Sequence, residues 1–258
     1  MIFAGIDAGS RAVKAVLWDD KKEMLLASAV ADQGIKPGHL AKKLFSGLLK
    51  KSGLRAGSIS GIVATGYARN MLSFADAAIT EITCHAAGIH KLMPEARTII
   101  EIGGQDSKIL RLREDGALED FAMNDRCAAG TGRFLEVVAR QLESSIERLG
   151  VLASRSKKPA AISSMCVVFA ETEIIGLLSQ GIKREDIIAG VQTAIAVRIA
   201  ALAEGRVRGP VAFTGGVALV GGMDKALASA LRCHPTVPEC PQLSGALGAA
   251  IIAARHER

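Results

Sequence analysis

The sequence predicts an α/β protein made of two similar domains that face a shared cleft. Three observations carry that expectation. Short apolar runs ending in glycine alternate with segments of helical periodicity. One strand–turn–strand unit recurs further along the chain at an offset of 94 positions. The 258 residues are enough for one large domain or two small ones.

Residues 2–7 and 13–18 read as strands joined by the glycine-containing turn Ala8-Gly9-Ser10. Residues 39–51 place apolar side chains at 40, 44, 45, 48 and 49, which is helical spacing with a basic outer face. Residues 59–64 form a strand ending in Thr65-Gly66. Residues 98–102 form another, ending in Gly103-Gly104, and 108–112 pair back on it. Residues 125–149 begin with a turn and continue as one long helix, with Phe134, Val137, Val138, Gln141 and Leu142 on one face. A small-residue, charged stretch at 154–159 reads as a surface loop. Residues 162–173 lead into a second helix, and 184–202 make a third. Residues 211–214 are a strand ending in Gly215-Gly216, and 245–255 are an alanine-rich helix.

The repeat aligns without a gap. Asp7 falls on Glu101, Gly9 on Gly103, Lys14 on Lys108, Ile6 on Ile100 and Val16 on Leu110. The expected domains are residues 1–95, with the terminal segment 245–258 packing back on them, and residues 96–244.

Composition narrows the function. Nearly half the residues are apolar, which excludes disorder. The net charge of +6 is mild. No basic run carries interleaved aromatics, and one Trp and one Tyr leave little for base stacking, so no nucleic-acid partner is expected. A docking surface for an acidic protein is allowed. The best apolar stretch, 245–254, falls short of the ~18 residues that cross a bilayer, so no membrane is expected. The opening MIFAGIDAGSR has no charged region ahead of an apolar core, and a cytoplasmic location is expected.

The glycine turns suggest phosphate chemistry. Without a Cβ, backbone N–H groups can approach phosphate oxygens closely. Gly9 and Ser10 offer this in the first turn, and Gly103, Gly104 and Gln105 in the second. Asp7 and Glu101 sit at the adjoining strand ends, and two carboxylates beside a polyphosphate suit Mg²⁺. One of them, or Asp106, could orient an attacking water, and Lys14 could lend a compact positive charge to the phosphates. Thr214-Gly215-Gly216 suits the adenosine side of a nucleotide. There is no G-x-x-x-x-G-K-[ST] and no G-x-G-x-x-G after a strand. From the residues alone, ordinary β-hairpins remain an alternative.

The five cysteines are Cys84, Cys127, Cys166, Cys233 and Cys240. They are widely and irregularly spaced without a Cys-x-x-Cys, which excludes a local zinc finger. Cys127 and Cys166 each stand just ahead of an expected helix, where unpaired N–H groups and the dipole stabilise a thiolate. Two ligands per chain fall short of the four that a cubane iron–sulfur cluster takes, but a symmetric dimer would bring two from each chain. The alternative is that both are small buried apolar residues. Cys84, Cys233 and Cys240 read as packing. Cys233 and Cys240 span a proline-rich loop with too few ligands for zinc.

The segments GIDAGSRAVK (5–14), IEIGGQDSK (100–108), NDRCAAGTGRFLE (124–136), TGGVA (214–218) and SGALGAA (244–250) resemble the phosphate-1, phosphate-2, connect-1, adenosine and connect-2 motifs of the sugar kinase, heat-shock chaperone and actin superfamily. That resemblance implies two duplicated ribonuclease H-like, actin-like ATPase domains with a nucleotide cleft between them. More narrowly, IGGQDSK, NDRCAAGTGRFLE, SSMCVVFAE and EITCHAAG (81–88) look like the activator ATPases of 2-hydroxyacyl-CoA dehydratases and the related benzoyl-CoA reductase ATPase subunits. The matches span almost the whole chain in order.

What the resemblance implies goes further. Such activators are homodimers with one [4Fe–4S] cluster held by two cysteines from each subunit, and Cys127 and Cys166 occupy the matching positions. Gly130, Gly132, Glu136 and Gln242 join the glycine turns as candidate ATP/ADP contacts, with Asp7 as the Mg²⁺ ligand. ATP hydrolysis drives an electron from ferredoxin or flavodoxin to an acyl-CoA dehydratase-type or related reductase partner, in an oxygen-sensitive, anaerobic system. Arg11 and Ala12 stand where the family often carries hydroxyl residues, which leaves the phosphate contacts there open. A small-molecule kinase of the same superfamily and a nucleotide-dependent regulatory protein are the rival expectations.

Overall fold

The computed structural model describes residues 1–163 and 166–256. Ser164 and Met165 of the SSMCVVFAE segment, and Glu257 and Arg258 at the end of the expected terminal segment, lie outside the described residues. The strands are β1 (Ile2–Ala8), β2 (Ala12–Asp19), β3 (Met24–Asp32), β4 (Ile59–Thr65), β5 (Ala77–Ala78), β6 (Thr98–Ile102), β7 (Ser107–Leu112), β8 (Leu118–Asn124), β9 (Val211–Thr214) and β10 (Pro235–Thr236). The α-helices are α1 (Pro37–Lys51), α2 (Glu81–Leu92), α3 (Gly132–Gln141), α4 (Ile146–Ala153), α5 (Val167–Ser179), α6 (Arg184–Ala203), α7 (Met223–Leu231) and α8 (Ser244–His256).

The chain divides into two compact units. One takes Met1–Glu95, Leu112–Glu119 and Gln242–Arg258, and the other Ala96–Arg111 and Asp120–Pro241. Each holds a five-stranded sheet of the same topology. The first runs β3-β2-β1-β4-β5, and the second runs β8-β7-β6-β9-β10. The repeat in the sequence is therefore a repeat in strand order, with β1 matching β6 and β2 matching β7. In both sheets the central strand pairs antiparallel with the strand after it and parallel with a later one.

Burial explains the strand chemistry. β1 and β6 are covered on both faces, so they read as near-continuous apolar runs. In the first unit α1 buries Ala41, Phe45, Leu48 and Leu49, and Lys50 and Lys51 in its last turn suit the negative end of the helix dipole. On α2 the Thr80 side chain caps the start by accepting from the Thr83 N–H. Small residues let α8 lie close to α2: a Cβ at Gly248 would meet the Cys84 carbonyl oxygen at 1.7 Å. In the second unit one large core joins Ile100, Ile102, Phe134, Val138, Ile174, Ile188, Ile195 and Phe213.

Three expectations change. The long helix expected over 125–149 is two helices. α3 ends at Gln141, Glu143 turns into the left-handed region at φ +49, and α4 starts after Ser145. Leu142 is buried at the bend, so the apolar periodicity runs through a break in the backbone. β3 and β8 were not expected. β3 is a half-exposed edge strand with three alanines, and β8 turns Phe121 and Met123 outward. Finally, α6 is a 20-residue apolar helix, long and apolar enough to cross a membrane by length and composition alone. Its Ile187, Val191, Ile195 and Ile199 instead lie in the core of the second unit.

Candidate functional site

In the first unit Asp7 ends the buried run of β1, directly opposite Lys14 on β2. Lys14 Nζ donates to Asp7 Oδ2 at 2.9 Å, so the lysine expected to serve phosphates is engaged with the carboxylate. On its other side Asp7 pairs with Thr65 of β4. Gly66 follows at φ +94, where a Cβ would fall 2.5 Å from Asp7 Oδ1. Gly9 and Ser10 form the half-buried turn between β1 and β2. Gln33, which no sequence motif marks, buttresses that turn: its Nε2 donates to the Gly9 carbonyl at 2.7 Å. Arg11 pairs with Asp32 at 3.1 Å on the surface.

The second unit repeats the arrangement with one addition. Glu101 stands opposite Lys108 and beside Thr214. Lys108 Nζ lies 3.0 Å from Glu101 Oε2 and 2.6 Å from Asp106 Oδ2, and its side chain is only 2% exposed. One ammonium thus serves two carboxylates, which leaves a formal charge of −1 at this turn. Gly215 follows Thr214 at φ +90, and a Cβ there would fall 2.7 Å from Glu101 Oε1. The Asp7/Gly66 geometry recurs. The Thr214 hydroxyl and the Gly215 N–H both donate to the Pro241 carbonyl, which braces the Thr-Gly-Gly turn, and Gln242 is half-buried.

Gly103 and Gly104 form the turn after β6, and Gln105 is exposed there. Two backbone bonds tie that turn to the start of α3. Gly132 N–H donates to the Gly103 carbonyl at 2.9 Å, and Arg133 N–H donates to the Gly104 carbonyl at 2.8 Å. Gly130 is buried at φ +92 beside Arg198. Glu136 accepts from Arg133 Nη1 at 2.9 Å. Gly216 is exposed, with open space where a Cβ would lie.

Cys127 is exposed, but it does not sit at a helix N-terminus. α3 begins at Gly132, with Thr131 as its cap. Cys127 lies instead in a turn closed by Asn124, whose Nδ2 donates to the Cys127 carbonyl at 2.9 Å and whose Oδ1 accepts the Cys127 N–H. Cys166 is exposed and does occupy the N-cap of α5, flanked by exposed Val168 and Phe169. Cys84 is fully buried, and burial pushes its thiol up to about 12. Burial also raises the Cys233 thiol. Cys240, expected to be a packing residue, is exposed. Among the described residues no three His, Cys, Asp or Glu side chains gather as a metal site. Two exposed thiols fit half of a four-thiolate cluster site, and the Asp7 carboxylate fits a Mg²⁺ held mainly by phosphate oxygens and water.

A family model described as the BadF/BadG/BcrA/BcrD ATPase family matches residues 4–253. The chain is 46% identical over 256 residues to the activator of lactoyl-CoA dehydratase of Anaerotignum propionicum, covering 98% of this chain and 97% of that protein. It is 42% identical over 252 residues to the (R)-2-hydroxyglutaryl-CoA dehydratase activating ATPase of Acidaminococcus fermentans, covering 96% and 95%. Among solved structures, the activator of the 2-hydroxyisocaproyl-CoA dehydratase from Clostridium difficile with bound ADPNP matches at a TM-score of 0.94 and 43% identity, over 99% of this chain and 95% of that one.

Proposed function

The chain belongs to the BadF/BadG/BcrA/BcrD ATPase family, with an actin-like ATPase fold, and from that membership we propose that it spends ATP to drive one-electron transfer into a partner enzyme. The partner is a 2-hydroxyacyl-CoA dehydratase or a related reductase, as the names of the relatives suggest. The observation that carries the ATP half is the duplicated turn: an acid, a lysine opposite it and a positive-φ glycine beside it, once in each unit.

In this reading the turns at Gly9-Ser10 and Gly103-Gly104-Gln105 present N–H groups to the phosphates, and the Thr214-Gly215-Gly216 turn takes the adenosine side. Gly130, Gly132, Glu136 and Gln242 complete the nucleotide contacts. Asp7 holds Mg²⁺, and Lys14 keeps that carboxylate in place. Glu101 and Asp106, which share Lys108, carry the excess negative charge that orients a water for attack.

Cys127 and Cys166 are the thiolate ligands, two from each chain of a homodimer. When bound, a [4Fe–4S] cluster supplies a single low-potential electron, received from a ferredoxin or flavodoxin. The bonds from Gly132 and Arg133 to the Gly103-Gly104 turn give the two chemistries a mechanical link. A phosphate that shifts the turn pulls on the start of α3. The Thr131 hydroxyl, which donates to the Ala128 carbonyl at 2.6 Å, passes the pull toward Cys127.

The test is anaerobic. The purified protein, a low-potential reductant and a purified dehydratase are mixed with substrate, with and without ATP. Dehydration that needs ATP and is not supported by ADPNP fits the proposal. ATP consumed with stoichiometric phosphorylation of a small molecule would make the chain a kinase instead.

A further inference from the structure

Asp7 has a buried neighbour that the mechanism above does not use. His85 lies on α2 and is 5% exposed. Its Nδ1 is 2.9 Å from the hydroxyl of Ser244, the fully buried first residue of α8. The other side of the ring borders Gly245. A Cβ at Gly245 would sit 3.2 Å from His85 Nε2, 3.3 Å from Cε1 and 3.5 Å from Asp7 Oδ2. The imidazole and the carboxylate therefore flank one bare α-carbon, and the oxygen concerned is the one that accepts from Lys14.

Chemistry sets which ring atom is better turned toward the carboxylate side of Gly245. A neutral imidazole has one N–H and one lone pair. A lone pair on Nε2 would face an anionic carboxylate, which is repulsive. A hydrogen on Nε2 would face it favourably and leave Nδ1 to accept from the Ser244 hydroxyl, which can donate as well as accept. The negative neighbour thus selects the Nε2–H tautomer, and Ser244 holds the ring at that angle.

We propose that His85 is a positioning residue for Asp7, held by Ser244 and presenting Nε2–H across Gly245 to the carboxylate. The inference rests on the reading of Asp7 as part of the ATP machinery. It also separates the two duplicated turns. Glu101 is set by Lys108, which it shares with a second carboxylate, whereas Asp7 is set by Lys14 on one flank and a histidine on the other.

Two substitutions separate positioning from mere packing. Glutamine carries an amide nitrogen near the place of Nε2, and asparagine carries one near the place of Nδ1. Steady-state ATP hydrolysis is measured for His85→Asn and His85→Gln, with thermal midpoints alongside. Loss of a partner behind a working ligand costs about tenfold or more. His85→Asn is expected to lose that much in kcat with KM for ATP near the parent value, and His85→Gln to recover most of it. Ser244→Ala, which removes one hydroxyl, is expected to lower kcat about threefold with its thermal midpoint measured alongside. The reverse order, with Asn active and Gln not, would mean that only the Ser244 bond matters and would overturn the proposal. Equal losses in both His85 variants, no loss in either, or an unchanged kcat in Ser244→Ala would overturn it too. Asp7→Asn in the same assay distinguishes the two levels. If Asp7→Asn hydrolyses ATP normally, the reading of Asp7 fails. If Asp7→Asn is dead and His85→Asn is normal, only the role of His85 fails.

Discussion

Glu101 and Lys108 face each other across β6 and β7 with 3.0 Å between Oε2 and Nζ, and Asp7 and Lys14 repeat the pairing across β1 and β2 at 2.9 Å. The two pairs differ in what depends on the lysine. Lys108 is 2% exposed and also serves Asp106, whereas Lys14 is 18% exposed and serves one carboxylate. Lys108→Met leaves two carboxylates without their shared cation and should cost about 3–5 kcal/mol. Lys14→Met should cost less than half of that. Urea unfolding of both variants checks the order, and equal losses would contradict it.

Gly215 should tolerate no side chain. At φ +90 an alanine Cβ would meet the Ile102 carbonyl at 2.3 Å and Glu101 Oε1 at 2.7 Å, so Gly215→Ala should destabilise by about 1–3 kcal/mol. At Gly216, the next residue, nothing lies within 4 Å of a Cβ, and Gly216→Ala should leave folding stability within about 0.5 kcal/mol. Thermal melts of the pair decide this.

The cysteines should separate by reactivity. Cys127, Cys166 and Cys240 are exposed, while Cys84 is buried with its thiol pushed up to about 12. Iodoacetamide at pH 8 should label the first three in the apo protein and spare Cys84 until denaturant is added. The sign for stability follows. A thiol that titrates near 9 when unfolded and near 12 when folded costs the fold nothing below pH 9, and destabilises it progressively above. Cys84→Ala should therefore flatten the loss of stability between pH 9 and 11, measured by denaturant midpoints.

Glu143 should be improvable. It is a non-glycine residue held at φ +49 where α3 breaks, and its contact with Arg184 is a long, exposed ion pair at 3.7 Å. Such pairs contribute little, whereas the left-handed backbone carries a steric cost. Glu143→Gly should raise stability by up to about 1 kcal/mol, seen as a higher thermal midpoint.

The hairpins were legible because burial on both faces leaves an apolar run, and a turn leaves a glycine at a fixed offset from the acid. The helix break at Glu143 was not, since Leu142 stays in the core and preserves the apolar rhythm while the backbone changes hand. β3 and β8 are edge strands whose outward faces hide the alternation. At the candidate site, residue types and spacing marked Asp7, Lys14, Glu101 and Lys108, but not that each lysine pairs with its acid. Gln33 donates to a backbone carbonyl 24 residues away, and the Pro241 carbonyl accepts from a hydroxyl 27 residues away, which no local pattern records. Cys127 and Cys166 stood out through the family resemblance rather than through spacing, while the turn that Asn124 closes around Cys127 depends on three-dimensional folding.

Iron content decides whether Cys127 and Cys166 hold a cluster between two chains. Protein purified or reconstituted under strict exclusion of oxygen should carry about two irons per chain, four per homodimer, with the colour of an iron–sulfur centre. Cys127→Ser and Cys166→Ser should each abolish it, while Cys240→Ser should not. A colourless, iron-free protein after reconstitution, or iron retained in both Cys127→Ser and Cys166→Ser, would rule out these cysteines as cluster ligands.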